Sequence, residues 1–291
     1  MRGLTLVALL VVGALALSGC SSKSDSSSST SKSGTHTGTG VPTTNTTTQA
    51  PNVPPVVVVH STNSTGVASN VTFVRGSLTF SAAGSSDPDG DGLSAVAIVA
   101  QDSNRTYPPG VLFAGGKFTP VTYTFDRPGI VNVTVSGIDV RGDLTTVKTQ
   151  VFVDEVQTVK SNTLNIPAGA ATSSASDCTG AFTSGGVPSE GSNVLDPTTH
   201  DGQPINVVKG ATYLTGDLQS QSTGSGNFAF CGPDGKAVSP DDKDGHAASD
   251  KPLPPTKGTE TYSVSFVASE PQTTMYVKVV IHYEPKAAAA A

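Results

Sequence analysis

The sequence predicts an all-β protein: two β-sandwich domains behind a signal peptide and a disordered stalk. Three observations carry that expectation. Short runs of β-branched residues recur along the chain, separated by turn clusters. The 31 glycines and 20 prolines, with abundant Ser and Thr, punctuate the chain too often for long helices. The hydrophobic fraction is 36% with no tryptophan, so the cores must be built largely from Val, Ala, Ile and Leu. A length of 291 residues accommodates two domains of ordinary size.

The N-terminus comes first. Arg2 is a short positive region, and Leu4 to Leu17 is an apolar run of signal-peptide length, short for a membrane span. It ends in Leu17-Ser18-Gly19-Cys20, which resembles the lipobox of bacterial and some archaeal lipoproteins. The resemblance implies cleavage after residue 19, a diacylglyceryl group on the Cys20 thiol, and a chain held on the extracellular face of the cell membrane. Two acyl chains suffice for stable attachment where one is marginal. Losing Arg2 takes the formal charge from −6 to −7, which does not suit a nucleic-acid partner.

Residues 20–53 hold Ser, Thr, Gly and Pro and almost nothing that could form a core. They are expected to be a disordered stalk with a mean reach of roughly 30 Å.

Residues 54–155 are expected to form the first sandwich. "VTFV", "LTFSA", "AVAIVAQ", "VTYTF", "VNVTVSGIDV" and "TTVKTQVFVD" are its strands. Val131, Val133 and Val135 alternate with Asn132 and Thr134, as in a half-buried strand. "GVLFAGGKFT" reads as a loop between strands. The run Phe80 to Asp91, "FSAAGSSDPDGD", and the later Pro128-Gly129 turn before the valine strand resemble the polycystic-kidney-disease (PKD) domain family. That resemblance implies an immunoglobulin-like sandwich. The family's usual W-D-F-G-D-G stretch is replaced here by "AVAIVAQDSN".

Asp87, Asp89 and Asp91 lie within the acidic turn "DPDGDG". One reading is turn chemistry: Asp side chains accept from nearby amides, and Gly90 and Gly92 permit positive φ. The other is weak calcium binding, the only cofactor the sequence suggests. Three carboxylates fall short of the six to eight oxygens that calcium takes, so the turn is the leading reading.

Residues 156–285 are expected to form a second sandwich, with strands in "NTLNIPAG", "VKGATYLTGDL", "GNFAFCGPDGKAV", "ETYSVSFVAS" and "TTMYVKVVIHYE". Phe228 to Val238 loosely resembles the jelly-roll-like sandwiches appended to secreted peptidases. The stretches around Cys178 to Gly202 and Ser239 to Gly258 read as long loops, and Asp241, Asp242 and Asp244 as a solvated turn. Residues 286–291 read as a tail.

With Cys20 lipidated, Cys178 and Cys231 remain as a pair outside the reducing cytosol, which favours a disulfide. Asn45, Asn63, Asn70, Asn104 and Asn132 begin N-glycosylation sequons. Asn132 points away from the valine face, where a glycan would be tolerated. The five histidines, His36, His60, His200, His246 and His282, are scattered, and no hydrolase or metalloprotease motif is present.

The expected function is therefore non-catalytic: adhesion, recognition or envelope organisation by a membrane-anchored surface protein with an extracellular protein or glycan partner. A carbohydrate-binding accessory module of a secreted hydrolase system is the alternative. A surface redox carrier or enzyme is the third.

Overall fold

The computed structural model describes residues 50–161, 174–178, 200–222, 226–242, 244–249, 251–254, 258–268 and 274–286. The signal peptide with Cys20, the stalk up to residue 49 with Asn45, the "NTLNIPAG" segment and the terminal alanines lie outside them.

The described chain is all-β apart from one 3-10 turn, Ala175–Asp177. Strand β8 (Gly129–Asp139) shows the governing rule. Val131, Val133 and Val135 are buried, and Asn132 between them is exposed. Strands β1 (His60–Thr62), β3 (Ser77–Ser81) and β7 (Val121–Thr124) form one antiparallel sheet in the order β1-β3-β7. Facing it are β4 (Leu93–Gln101), β5 (Gly110–Ala114), β6 (Lys117–Phe118), β8 and β9 (Leu144–Lys160). Strand β2 (Val71–Phe73) adds in parallel to β9. Leu78, Phe80 and Phe125 on one side pack against Ile98, Leu112, Val133 and Val153 on the other.

A second pair of sheets follows. Strands β10 (His200–Val207), β14 (Glu260–Ala268) and β12 (Gly226–Cys231) form an antiparallel sheet in that order. Strands β13 (His246–Ala248), β11 (Tyr213–Gln221) and β15 (Met275–His282) continue the larger sheet from β9. Between them Phe228, Phe230, Phe266 and Tyr262 meet Leu214, Val277, Val279 and Ile281. Gly216 lies under this layer; a Cβ there would stand 2.7 Å from Phe230 Cζ.

Strand β9 joins the two halves. Its first part pairs with β8 from Leu144 to Val153, and its second with β15 from Glu155 to Lys160. Seventeen residues thus serve both cores without a break.

Two expectations are corrected. "GVLFAGGKFT" is a hairpin, β5–β6, whose two-residue turn puts Gly115 and Gly116 at φ 58° and 78°. The strand His200–Val207 begins inside the stretch expected as a long loop, which extends as far as Gly202. It sits at a sheet edge, the position within a sheet where a proline such as Pro204 is tolerated.

Candidate functional site

The outer face of the first large sheet carries a groove. Its cavity volume is about 930 Å³, and strands β4, β8 and β9 supply most of its lining. The pairing registers place Gln101 opposite Asn132 and Asn132 opposite Gln150. Three amide side chains therefore stand in a row across three strands. Gln150 Nε2 donates to Asn132 Oδ1 at 3.2 Å. That bond fixes two of the amides and leaves the Asn132 N–H groups and the Gln150 carbonyl oxygen without partners among the described residues. Thr134 and Lys148, also in register, extend the polar surface, while Ile130 and Phe152 give it an apolar end. A surface of paired donors and acceptors beside an apolar platform suits a ligand rich in hydroxyls.

The groove reaches the second half of the chain. An adjoining hollow of about 480 Å³ shares Asp102, Ser103 and Ile130 with it and continues to Val208, Lys209 and Gly210.

The acidic turn is a separate construction. Asp87 Oδ1 accepts from the Asp89 N–H at 3.2 Å, and Gly90 and Gly92 adopt φ 83° and 94°. Arg141, after β8, lies over the turn. Its Nη2 donates to Asp89 Oδ2 at 3.0 Å, its Nε to Asp91 Oδ2, and its Nη1 to the Ala50 carbonyl at 3.1 Å. Asp139 is buried: its Oδ1 accepts from the N–H groups of Arg141, Gly142 and Asp143, and its Oδ2 from Asn52 Nδ2. Burial pushes the Asp139 carboxyl up, but these donors more than offset it and hold it below the ordinary value.

This network ties residues 50–53 to the turn, since Asp89 Oδ2 also accepts from the Val53 N–H. Three buried oxygens within it have no hydrogen-bond partner among the described residues: Asn52 Oδ1, Asp87 Oδ2 and Asp89 Oδ1. The Asp87 and Asp89 side chains are within hydrogen-bonding reach, which raises the Asp87 pKa and lowers that of Asp89. Neighbouring carboxylates repel when both are charged, and Arg141 already supplies one compensating cation to Asp89. Asp87 and Asp89 are thus brought together, while Asp91 is engaged by Arg141. Asn52 and Asp139 were not visible as partners in the sequence; the "DVRGD" turn after the valine strand was the available signal.

At the middle of β9 stands a second polar cluster. His282 Nδ1 is 2.8 Å from Asp154 Oδ2 and 3.2 Å from Glu284 Oε1. Its Nε2 is 2.9 Å from Thr215 Oγ1, and Tyr213 stacks on the ring at 4.2 Å. Asp154 Oδ1 accepts from the Tyr283 N–H, and Glu284 Oε1 accepts from the Tyr213 hydroxyl. Burial alone would lower the His282 pKa, but hydrogen bonds to Asp154 and Glu284 hold it up to about 9. Burial raises Asp154. In Glu284 burial acts the same way, but bonds from His282 and Tyr213 outweigh it and lower the pKa.

Thr215, His282 and Asp154 are aligned like the hydroxyl, imidazole and carboxylate of a nucleophilic triad. A protonated imidazole cannot take the hydroxyl proton, so at neutral pH this array is an ion-paired brace. Asp154, His282 and Glu284 also offer ligand atoms within 4.8 Å of one another, a set that a metal could use only by displacing that proton.

Cys178 and Cys231 form a disulfide, with Cα atoms 5.8 Å apart. It fastens the 3-10 turn to β12. Asp241 reinforces the join by accepting from Ser174 Oγ and from the Ala175 and Ser176 N–H groups. Asp242 accepts from the Phe228 N–H at 2.7 Å. These two aspartates are structural acceptors rather than a solvated turn. His246 pairs with Asp217 at 2.7 Å. Of the sequons, Asn63 folds onto its own Thr65, Asn104 is exposed, and Asn70 and Asn132 line the groove.

No family model and no curated protein matches the chain, so the PKD resemblance rests on the residues quoted for it. Among the solved structures that align loosely with this chain are the following three. A carbohydrate-binding module described as belonging to the β-sandwich superfamily covers 81% of this chain and 94% of its own, at 10% identity and a TM-score of 0.32. SGBP-B of the Bacteroides ovatus mixed-linkage glucan utilization locus, in complex with a mixed-linkage heptasaccharide, covers 72% and 49%, at 10% identity and a TM-score of 0.22. The secreted serine protease VesC of Vibrio cholerae covers 81% and 49%, at 13% identity and a TM-score of 0.17. At these scores the likenesses carry no functional weight.

Proposed function

We propose that this chain is an exported, lipid-anchored surface protein that recognises a glycan through the groove on β4, β8 and β9. The observation that carries this reading is the amide row Gln101–Asn132–Gln150 within an open groove. Sugar hydroxyls donate and accept at once, and so do amides, so each amide can pair with two neighbouring hydroxyls. Sheet strands hold the three side chains at fixed spacing, which reduces the ordering cost of binding.

The other features serve that role. Cys20 carries the lipid, and residues 20–53 lift the sandwiches off the membrane. The acidic turn fastens the end of the stalk to the first sandwich. Calcium, bound weakly by Asn52 Oδ1, Asp87 Oδ2 and Asp89 Oδ1, would supply positive charge to that junction. The proposed role is non-catalytic.

A glycan array probed with the detergent-extracted full-length chain tests the reading. Binding is expected, and Asn132→Ala with Gln150→Ala is expected to weaken it at least tenfold. Binding that survives both substitutions would place the ligand elsewhere.

A further inference from the structure

Resting on that glycan reading, we infer that the ligand is an acidic polysaccharide, carrying carboxylate or sulfate groups, that lies along the groove and its adjoining hollow. The chain as a whole is acidic, with a formal charge of −6. The trough departs from that balance. Lys148 lies in the groove, and Arg127 and Lys209 lie in the hollow that continues it. All three are exposed, and none has a carboxylate partner among the described residues.

Among the described residues, the one carboxylate lining the trough, Asp102, is already committed. Asp102 Oδ1 accepts from the N–H groups of Asn104 and Arg105, each at 2.7 Å. The nearby Arg105 guanidinium is paired with Asp126 at 3.0 Å. Three unpaired cations therefore face a ligand against one internally bonded anion. They come from β9, from the turn before β8 and from the turn after β10, so no basic run marks them in the sequence.

The trough also sets ligand shape. Shared lining joins the groove to the hollow, so the site is open along its length rather than capped over a single sugar. An extended chain offering an anion every sugar or two would meet Lys148, Arg127 and Lys209 in turn, while its hydroxyls meet the amide row. Exposed cations in such a site add affinity that salt screens.

The test is affinity electrophoresis of the full-length chain through gels holding polygalacturonate, dextran sulfate or neutral dextran, with phosphatidylglycerol vesicles as a separate sedimentation arm. Retardation by one or both acidic polymers, at least tenfold stronger than by dextran and reduced by 0.5 M salt, is expected. Lys148→Gln with Arg127→Gln and Lys209→Gln should abolish it, whereas Lys236→Gln, which is paired with Asp234 and does not line the trough, should not. Equal retardation by dextran, insensitive to the triple substitution, would overturn the acidic ligand and leave the glycan reading standing. Binding to vesicles with no retardation by any polysaccharide would overturn both.

Discussion

Arg141 Nη2 lies 3.0 Å from Asp89 Oδ2, and its Nε bonds Asp91, so a protein cation already covers one side of the acidic turn. Both partners are partly shielded, with side-chain exposures of 22% and 15% for Arg141 and Asp89. Removing the guanidinium leaves two carboxylates and the Ala50 carbonyl short of a donor. Arg141→Gln is expected to destabilise the first sandwich by about 1–3 kcal/mol in chelator. Thermal melts with and without millimolar calcium check this. The variant should gain more from calcium than wild type does, and unchanged melting would show that the arginine is dispensable.

Calcium itself should act weakly on the wild-type chain. At ten times the dissociation constant it adds only about 1.4 kcal/mol. A modest upward shift in Tm in millimolar calcium, lost in Asp89→Asn, is expected. A large shift complete at micromolar calcium would show a far tighter site than the three unpartnered oxygens support.

The His282 brace gives the fold a pH dependence of definite sign. The folded pKa, about 9, lies above the unfolded one. The resulting stability is fully present below about pH 6.5 and is lost as pH rises through 9. Its size is on the order of 3 kcal/mol. Denaturant midpoints between pH 6 and pH 10 should fall for wild type and fall less for His282→Gln. Parallel curves for the two proteins would contradict the brace.

The disulfide closes a separation of 53 residues, worth on the order of 4 kcal/mol in the chain-entropy model. Reduction should lower Tm and add two hydrogens to the intact mass. Two thiols alkylated freely without reductant would contradict the bond in the native protein.

The groove and the sequons compete for the same space. A glycan on Asn132 would cover the amide row, because that side chain lies in the groove and pairs with Gln150. Chains retained on an immobilised polysaccharide should therefore be depleted of forms modified at Asn132, as read by peptide mass mapping. Equal retention of modified chains would move the ligand off this face.

The cores were legible because alternation is local. Val131, Val133 and Val135 announce their face within five residues, and Val277, Val279 and Ile281 do the same. Strand β10 was not legible, because "HDGQPINV" is polar and holds Pro204; its strand character comes from pairing with β14. Nor was the continuity of β9, since the expected strand "TTVKTQVFVD" stops at Asp154 and residues 155–160 join it by pairing with β15. The Asp87–Asp89 pair lay in one short motif, but Arg141 enters from 52 residues away and Asp154 meets His282 across 128. The amide row needs two registers at once, and no single segment encodes either.

The central claim concerns that row. In NMR spectra of the isotope-labelled chain, the side-chain amide signals of Gln101, Asn132 and Gln150 can be followed during titration with an oligosaccharide selected on the array. Saturable shifts of all three, following one binding curve, are the expected result. A saccharide that binds and leaves the three amide signals unmoved would contradict the account.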